Sequence, residues 1–438
     1  MTSPSVTVLR RLPGRAGAGR RPGAVPLDPA ETLSNTVRRR VYTVWALLYF
    51  NTLTYSAGAT VLHLPSKVGK GLAQGALPLA ILVALTINPK IKIRPNVFLC
   101  LVGLLVVDTV ITCLAAPHLG SIFRSFRLAE FVAALWLLTP WWGRRDMLLM
   151  RCHLRWLYIS LASVLVGLMI SPHKAFSYTG GGRLSGVIWP MLPTQVAQYG
   201  AIAAGLTIIL WLARLVRGRV TVFAVAFAMA ILLETHTRTA LAGLLAGILV
   251  GGLSMFTSNA RVRKFFGAGL AAVLVGAFTV VGVVTTWLAR GENAQGLASL
   301  TGRTNFWALV LDTPRTKFQE IFGFGLSNAS INGLPIDSNW LSSYMQEGLF
   351  GVVVCALILV WLFVAAFFRP PSVQRALGLF LLTYCLVASF TEDAFTNAST
   401  YLLALVVAAS LLVPPLIRPE DDLIDRDQPV AERDEILS

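Results

Sequence analysis

Apolar runs, most of them near 18 to 22 residues, recur along the whole chain, and each such run is long enough to cross the roughly 30 Å hydrocarbon core of a bilayer as a helix. They fall at about 41–61, 71–88, 97–116, 126–142, 155–171 and 195–213, then at 220–234, 239–257, 266–288, 346–367, 376–391 and 399–416. Backbone N–H and C=O groups find no water partners in hydrocarbon, so segments like these must satisfy them internally, as helices do. The expected fold is therefore all-α, a polytopic transmembrane helix bundle of about twelve spans. The seventh and eleventh runs are the shortest, followed by the fourth and fifth.

Composition fits the same solvent. Mean hydropathy is +0.68, and only 13% of residues are charged, against roughly a quarter in soluble chains. The formal charge of +16 matches the sign that phosphate binding needs, but its distribution points elsewhere. Lys and Arg are scattered in short segments between apolar runs, which is how charge orients membrane helices, so no nucleic-acid partner is expected. With the N-terminus inside, 26 of the 37 basic residues fall in cytoplasmic segments, placing both termini in the cytoplasm.

Three regions follow. Residues 1–37, rich in Arg, Pro, Gly and Ala without apolar period, read as a disordered cytoplasmic tail. The transmembrane domain runs over 38–417, and 418–438 is an acidic cytoplasmic tail. The first apolar run is too long for a signal-peptide core and reads as an uncleaved anchor. The one long outer segment, 289–345, mixes Phe306, Trp307, Phe318 and Phe322 with Arg303, Arg315 and Lys317. It should form short amphipathic helices along the membrane surface, broken at Pro314, Gly323 and Gly325.

Cys100, Cys113, Cys355 and Cys385 lie in apolar runs and Cys152 in a basic loop, with no disulfide or metal spacing. They read as small buried hydrophobes. The five histidines lack paired spacing, so a metal site is not expected.

Chemistry concentrates in the outer segments. Three of them carry an arginine at headgroup level: Arg183, Arg238 in a turn of a few residues, and Arg303. A guanidinium grips phosphate through two parallel charge-assisted hydrogen bonds and keeps its proton; the plainer role is an interfacial anchor. The segment leading into the tenth span holds Asp337, Asn339 and Glu347. Asp337 is either a general base for a hydroxyl or the N-cap of the following helix, and the two roles are compatible. Asp108, inside the third run, should face the bundle interior. Local ion pairing is expected for Glu130 with Arg124 or Arg127 and for Glu234 with Arg238. Asn51, Glu392 and Asp393 carry no assigned role.

The order of motifs resembles the O-antigen ligase and Wzy-type polymerase superfamily of bacterial membrane glycosyltransferases. They are RLSG at 183–186, THTRTALAGLLAG at 235–247, GRTNFWALV at 302–310, GFG at 323–325 and DSNWLSSYMQEGLFG at 337–351. The likeness covers roughly 170–355, and the remainder only through topology. It implies a GT-C-like fold with a long periplasmic loop containing short helices, in the bacterial inner membrane. It also implies a metal-independent, cofactor-free enzyme that takes a saccharide from a polyprenyl diphosphate carrier and joins it to the hydroxyl of a glycan or glycolipid acceptor. Arg183 and Arg238, with Asp337 as base, would be catalytic. Arg303, Trp307, Asn339, Glu347, Arg124, Arg127 and His236 would bind substrate. The family often presents a histidine before the asparagine of its loop motif; here Ser338 precedes Asn339, and Asp337 is the titratable neighbour.

A transporter or flippase for a polysaccharide or lipid-linked oligosaccharide is the alternative, since twelve spans suit it too. Dissimilar halves, few mid-membrane charges and no interrupted helix pair argue against it. A peptidoglycan polymerase of the shape, elongation, division and sporulation type usually has fewer spans.

Overall fold

The computed structural model describes residues 33–53, 55, 60–61, 64–177, 182–257, 259–279, 303–326, 330–331, 334–393 and 395–414. Of the two tails proposed from the sequence, 418–438 lies wholly outside these residues, and only 33–37 of the N-terminal tail falls within them. So do 280–288 at the end of the ninth apolar run and 289–302, 327–329 and 332–333 of the long outer segment.

Helices overlap every apolar run: α1 (Asn35–Asn51), α2 (Ser66–Ile87), α3 (Val97–Ala115), α4 (Leu119–Leu137), α5 (Leu148–Ile170), α7 (Pro193–Leu212), α8 (Gly218–Glu234), α9 (Arg238–Leu253), α10 (Ala260–Thr279), α13 (Asn339–Phe368), α14 (Val373–Ala388) and α15 (Thr400–Leu412). Short α6 (Pro172–Ser177), α11 (Arg303–Leu311) and α12 (Lys317–Phe322) connect them, together with one small hairpin of β1 (Ser330–Ile331) and β2 (Leu334–Pro335). Five helices, α2, α3, α5, α7 and α13, are long and apolar enough to cross a membrane, and α9, α14 and α15 are shorter apolar helices. The chain is thus a helical protein of membrane character.

Polar residues set the helix starts. Ser34, Asn96, Ser372 and Ser399 each accept an N–H of the first turn that follows, which satisfies a donor the helix itself leaves open. Thr316 and Gln319 form a reciprocal capping box on α12. Helix ends differ from the apolar runs where these signals differ. α1 stops at Asn51, ten residues before its run, and α4 starts at Leu119, seven before its run. Cys152 lies in α5 and is buried, while Cys100 is exposed, so the cysteines are not uniformly core residues.

α7 is the most buried of the five long helices, and it packs on α8, α9, α5 and α14. The α9–α14 contact is the most extensive in the molecule. It rests on Gly243, Gly247 and Gly251, spaced four apart on one face of α9, where any Cβ would run into Tyr384, Phe380 or the Ala376 carbonyl. Small residues at this spacing let helix backbones approach closely, which drives association where lipid supplies no hydrophobic force. The Phe380 ring also meets Gly205 of α7, so α7, α9 and α14 form one locked unit.

Two ends of the bundle are distinct. At one, Arg40 reaches the Thr86 carbonyl, Arg94 those of Trp142 and Pro414, Arg261 that of Trp211 and Arg369 that of Val413. This basic end also holds the pair Arg144–Asp146 (3.0 Å). The opposite end gathers the C-terminus of α1 and the N-termini of α4, α9 and α13.

Candidate functional site at the polar end of the bundle

The connection between α14 and α15, residues 389–399, is the hub of this end. The Asn339 amide donates to the Ser389 carbonyl (2.9 Å), the Asn339 Oδ1 accepts from the Phe395 amide (2.7 Å), and the Trp340 indole donates to Ser389 Oγ (3.1 Å). The start of α13 is thereby clasped to the connection. Asn339 is fully buried, and its side-chain oxygen is used in the clasp. Thr391 Oγ1 donates to Thr239 Oγ1 on the first turn of α9 (2.8 Å), and the Ala398 carbonyl accepts from Arg127 (3.3 Å).

Two of the arginines picked out by the sequence meet here. Arg183 donates through Nε to the Thr235 carbonyl and through Nη2 to Thr237 Oγ1, both at 2.9 Å, and the Leu184 amide bonds the Glu234 carbonyl (3.0 Å). The RLSG segment is therefore stitched to the turn that starts α9 at Arg238. His236 occupies that turn with φ of 50°, a left-handed conformation uncommon for a residue with a side chain. Both Arg183 and Arg238 are part-exposed.

Carboxylates come from three other elements. Asp393, on the α14–α15 connection, has its pKa pushed up to about 6, first by burial and then by the charge of Asp337. The Ser342 hydroxyl and Arg124 pull it back down. Asp337, Asp393, Ser342 and Arg124 thus share one electrostatic neighbourhood, and Asp393 lies two residues from the Thr391–Thr239 bond that leads to Arg238. Asp337 is not the N-cap of α13: Ser338 holds that position and makes no side-chain cap bond.

Deeper, Glu347 and Asp108 are both fully buried, and among the described residues none of their four carboxylate oxygens has a hydrogen-bond partner. Glu347 interacts electrostatically with Asp108 and Asp393. Its position is set by a break in α13. Gly348 takes φ 65° and ψ −160° and divides the helix, and Gly323 of the GFG motif, at φ 74°, lies against it. A Cβ on Gly348 would meet the Ile321 carbonyl, and one on Gly323 would meet the Gln346 carbonyl and the Glu347 amide. The amides of Phe324 and Gly325 bond the carbonyls of Met345 (2.9 Å) and Gln346 (2.8 Å), which the break leaves without helical donors. The sequence offered no interrupted helix pair in matching positions; here the GFG loop and the EG pair together break a single helix. Glu347 then folds over Gly351, where a Cβ would clash with it.

Other expected residues are dispersed. Arg127 donates to Asn51 Oδ1 (2.9 Å) and to the Asn51 carbonyl (2.7 Å), so neutral oxygens rather than Glu130 hold its charge. This contact also gives Asn51 a structural role. The Arg303 side chain lies outside the described residues, although its backbone opens α11. α11 ends before Pro314, and α12 stops at Gly323, as expected for this loop. No hydrogen bond joins Trp307 to Arg183 or Arg238, and its indole N–H is buried without a partner among the described residues. Sequence reasoning passed over Thr391 and Thr239 and left Asp393 without a role. A carboxylate in a connection only a dozen residues long between two apolar helices was the one available signal.

Among the described residues, no cluster of three or more His, Cys, Asp or Glu side chains is placed to hold a metal ion. The chain matches no protein-family model and no curated protein.

Proposed function

We propose that the chain is a polytopic membrane glycosyltransferase of the O-antigen ligase or polysaccharide polymerase type. In this reading about twelve helices span the membrane of a bacterial cell, the basic end faces the cytoplasm with both termini, and the polar end faces the periplasm. The reading is carried by one observation: the Arg183–Thr237 bond and the Thr391–Thr239 bond draw two arginines and the Asp337–Asp393 pair to the same end of the bundle.

The chemistry uses those groups directly. A carboxylate of the Asp337–Asp393 pair takes the proton of the acceptor hydroxyl while the acceptor oxygen bonds to the anomeric carbon of the donor. The bond from that carbon to the phosphate oxygen breaks, and its electron pair leaves on the polyprenyl diphosphate. Arg183 and Arg238, fixed beforehand by the Thr235–Thr237 turn, offset the charge that develops there, where preorganised donors are most effective. Asp393 suits the base because a group that titrates near the working pH balances availability against proton affinity.

The test is product growth from a polyprenyl-diphosphate saccharide in proteoliposomes, comparing wild type with Arg238→Ala. Activity should fall about 100-fold or more with the fold intact. Unchanged activity would remove Arg238 from the mechanism.

A second reading, transport of a lipid-linked saccharide, is favoured by the broken α13 and the two unpartnered acids beside it. Ionisable groups buried at membrane depth and interrupted helices mark transport pathways. Movement of the saccharide across vesicles with no new glycosidic bond, abolished by Glu347→Gln, would select it over the enzyme.

A further inference from the structure

A cavity of about 960 Å³ opens at the basic end between the start of α3 and the ends of α13 and α15. That volume is at the upper end of the roughly 300–1,000 Å³ range of small-molecule sites. Its walls are apolar, and several lining residues are also exposed on the flank of the bundle: Val97, Trp361, Val364 and Phe368, the last at 79%. The mouth therefore opens sideways, onto the face that apolar helices turn toward lipid.

The rim is cationic. Arg94 and Arg369 both line the cavity, and their guanidiniums converge on neighbouring carbonyls. Arg94 donates to Trp142 (3.2 Å) and Pro414 (3.2 Å), and Arg369 to Val413 (3.0 Å) and to Gln374 Oε1. Among the described residues neither meets a carboxylate. Asp146, which belongs to the same end, is paired with Arg144. Two positive charges thus sit together against neutral oxygens, each guanidinium having five N–H donors of which two are used.

We propose that this groove is a binding site for an anionic glycerophospholipid of the adjacent leaflet, with its phosphate on Arg94 and Arg369 and an acyl chain in the apolar cavity. Basic pockets between helix ends recognise anionic headgroups through this pairing of charge with a greasy wall. A soluble anion would use the arginines but leave the lateral apolar opening exposed. The acidic residues that follow Pro414, Glu420, Asp421 and Asp422 among them, match the rim in charge but bring no acyl chain to the apolar cavity behind it.

The experiment is lipid retention by the full-length protein. Protein purified from nanodiscs containing equal phosphatidylglycerol and phosphatidylcholine is analysed by native mass spectrometry, with thermal unfolding measured in each lipid alone. Wild type should retain phosphatidylglycerol preferentially and melt higher in it. Arg94→Gln and Arg369→Gln should each lower that preference about fivefold. Because Arg94 also bridges two carbonyls and its loss could unfold the chain, Ala365→Trp provides an independent arm: it fills the groove without touching the rim and should expel the lipid from a protein of unchanged helix content. Equal retention of both lipids by wild type would overturn the proposal, as would a preference that survives Ala365→Trp. A preference that appears only after residues 415–438 are removed would also overturn it and assign the groove to the tail.

Discussion

Arginine serves two purposes at the two ends of this bundle. At the basic end, Arg94, Arg261 and Arg369 direct their guanidiniums at carbonyls that close the loops and the last turns of α7 and α15. Cations are favoured at helix C-termini, where carbonyls lack intrahelical donors. At the polar end, Arg183 instead fixes a strained turn that presents Arg238, and the acids Asp337 and Asp393 lie in the same region. The difference teaches that the same guanidinium chemistry fastens helix ends at one face and ties a strained turn beside a pair of acids at the other, where under the proposed function it would meet a substrate's charge.

Variants sharpen this contrast in order of effect. The largest loss should come from Gly323→Ala, because the left-handed backbone and the contact with the Gln346 carbonyl both exclude a Cβ. Several kcal/mol of destabilisation are expected, read as loss of folded, monodisperse protein in detergent. A stable Gly323→Ala protein would show that the GFG loop does not brace the break in α13.

Next is the pH dependence of the polar end. With Asp393 pushed up to about 6 by burial and by Asp337, its base form dominates above that pH, so glycosyl transfer should decline as pH falls through about 6. The same raised value means that the folded chain binds this proton more tightly than the unfolded one. Its contribution to stability is then full below the ordinary Asp range and lost as pH rises through about 6. Asp393→Asn should remove both inflections. An unaltered activity profile in that variant would move the base to Asp337 or abandon the scheme.

The smallest effect is expected at the basic end away from the groove. Arg261→Gln loses a charge-assisted bond to the Trp211 carbonyl (2.8 Å) and stacking on the Trp211 ring. It should cost about 1.5–3 kcal/mol at most, seen as a lower melting temperature with saccharide transfer unchanged. A large loss of activity would erase the distinction between the two ends.

The helices were largely legible in the sequence, because apolar length and flanking charge report directly on the solvent of each segment. Cap residues refined their ends: Asn96 and Ser372 begin α3 and α14 with side-chain bonds, while α4 begins earlier than hydropathy suggested because Arg124 and Arg127 are accommodated within the helix. The site was legible only in part. Arg183, Arg238 and Asp337 stood out in outer segments with a role attached, whereas Asp393 was visible there without one. A carboxylate's surroundings depend on residues far away in the chain, here Ser342, Asp337 and Arg124.

The sequence by itself determined the helical class, the order of the apolar helices and the breaks at Gly323 and Gly325, since these follow from local composition and the steric limits of the backbone. Only the tertiary structure decided that Gly323 braces Gly348, that three glycines of α9 seat α14, and that the α14–α15 connection ties α9, α4 and α13 together. Such contacts join residues up to hundreds of positions apart, and their free energy depends on close approach between helices, which hydropathy along a single chain does not encode.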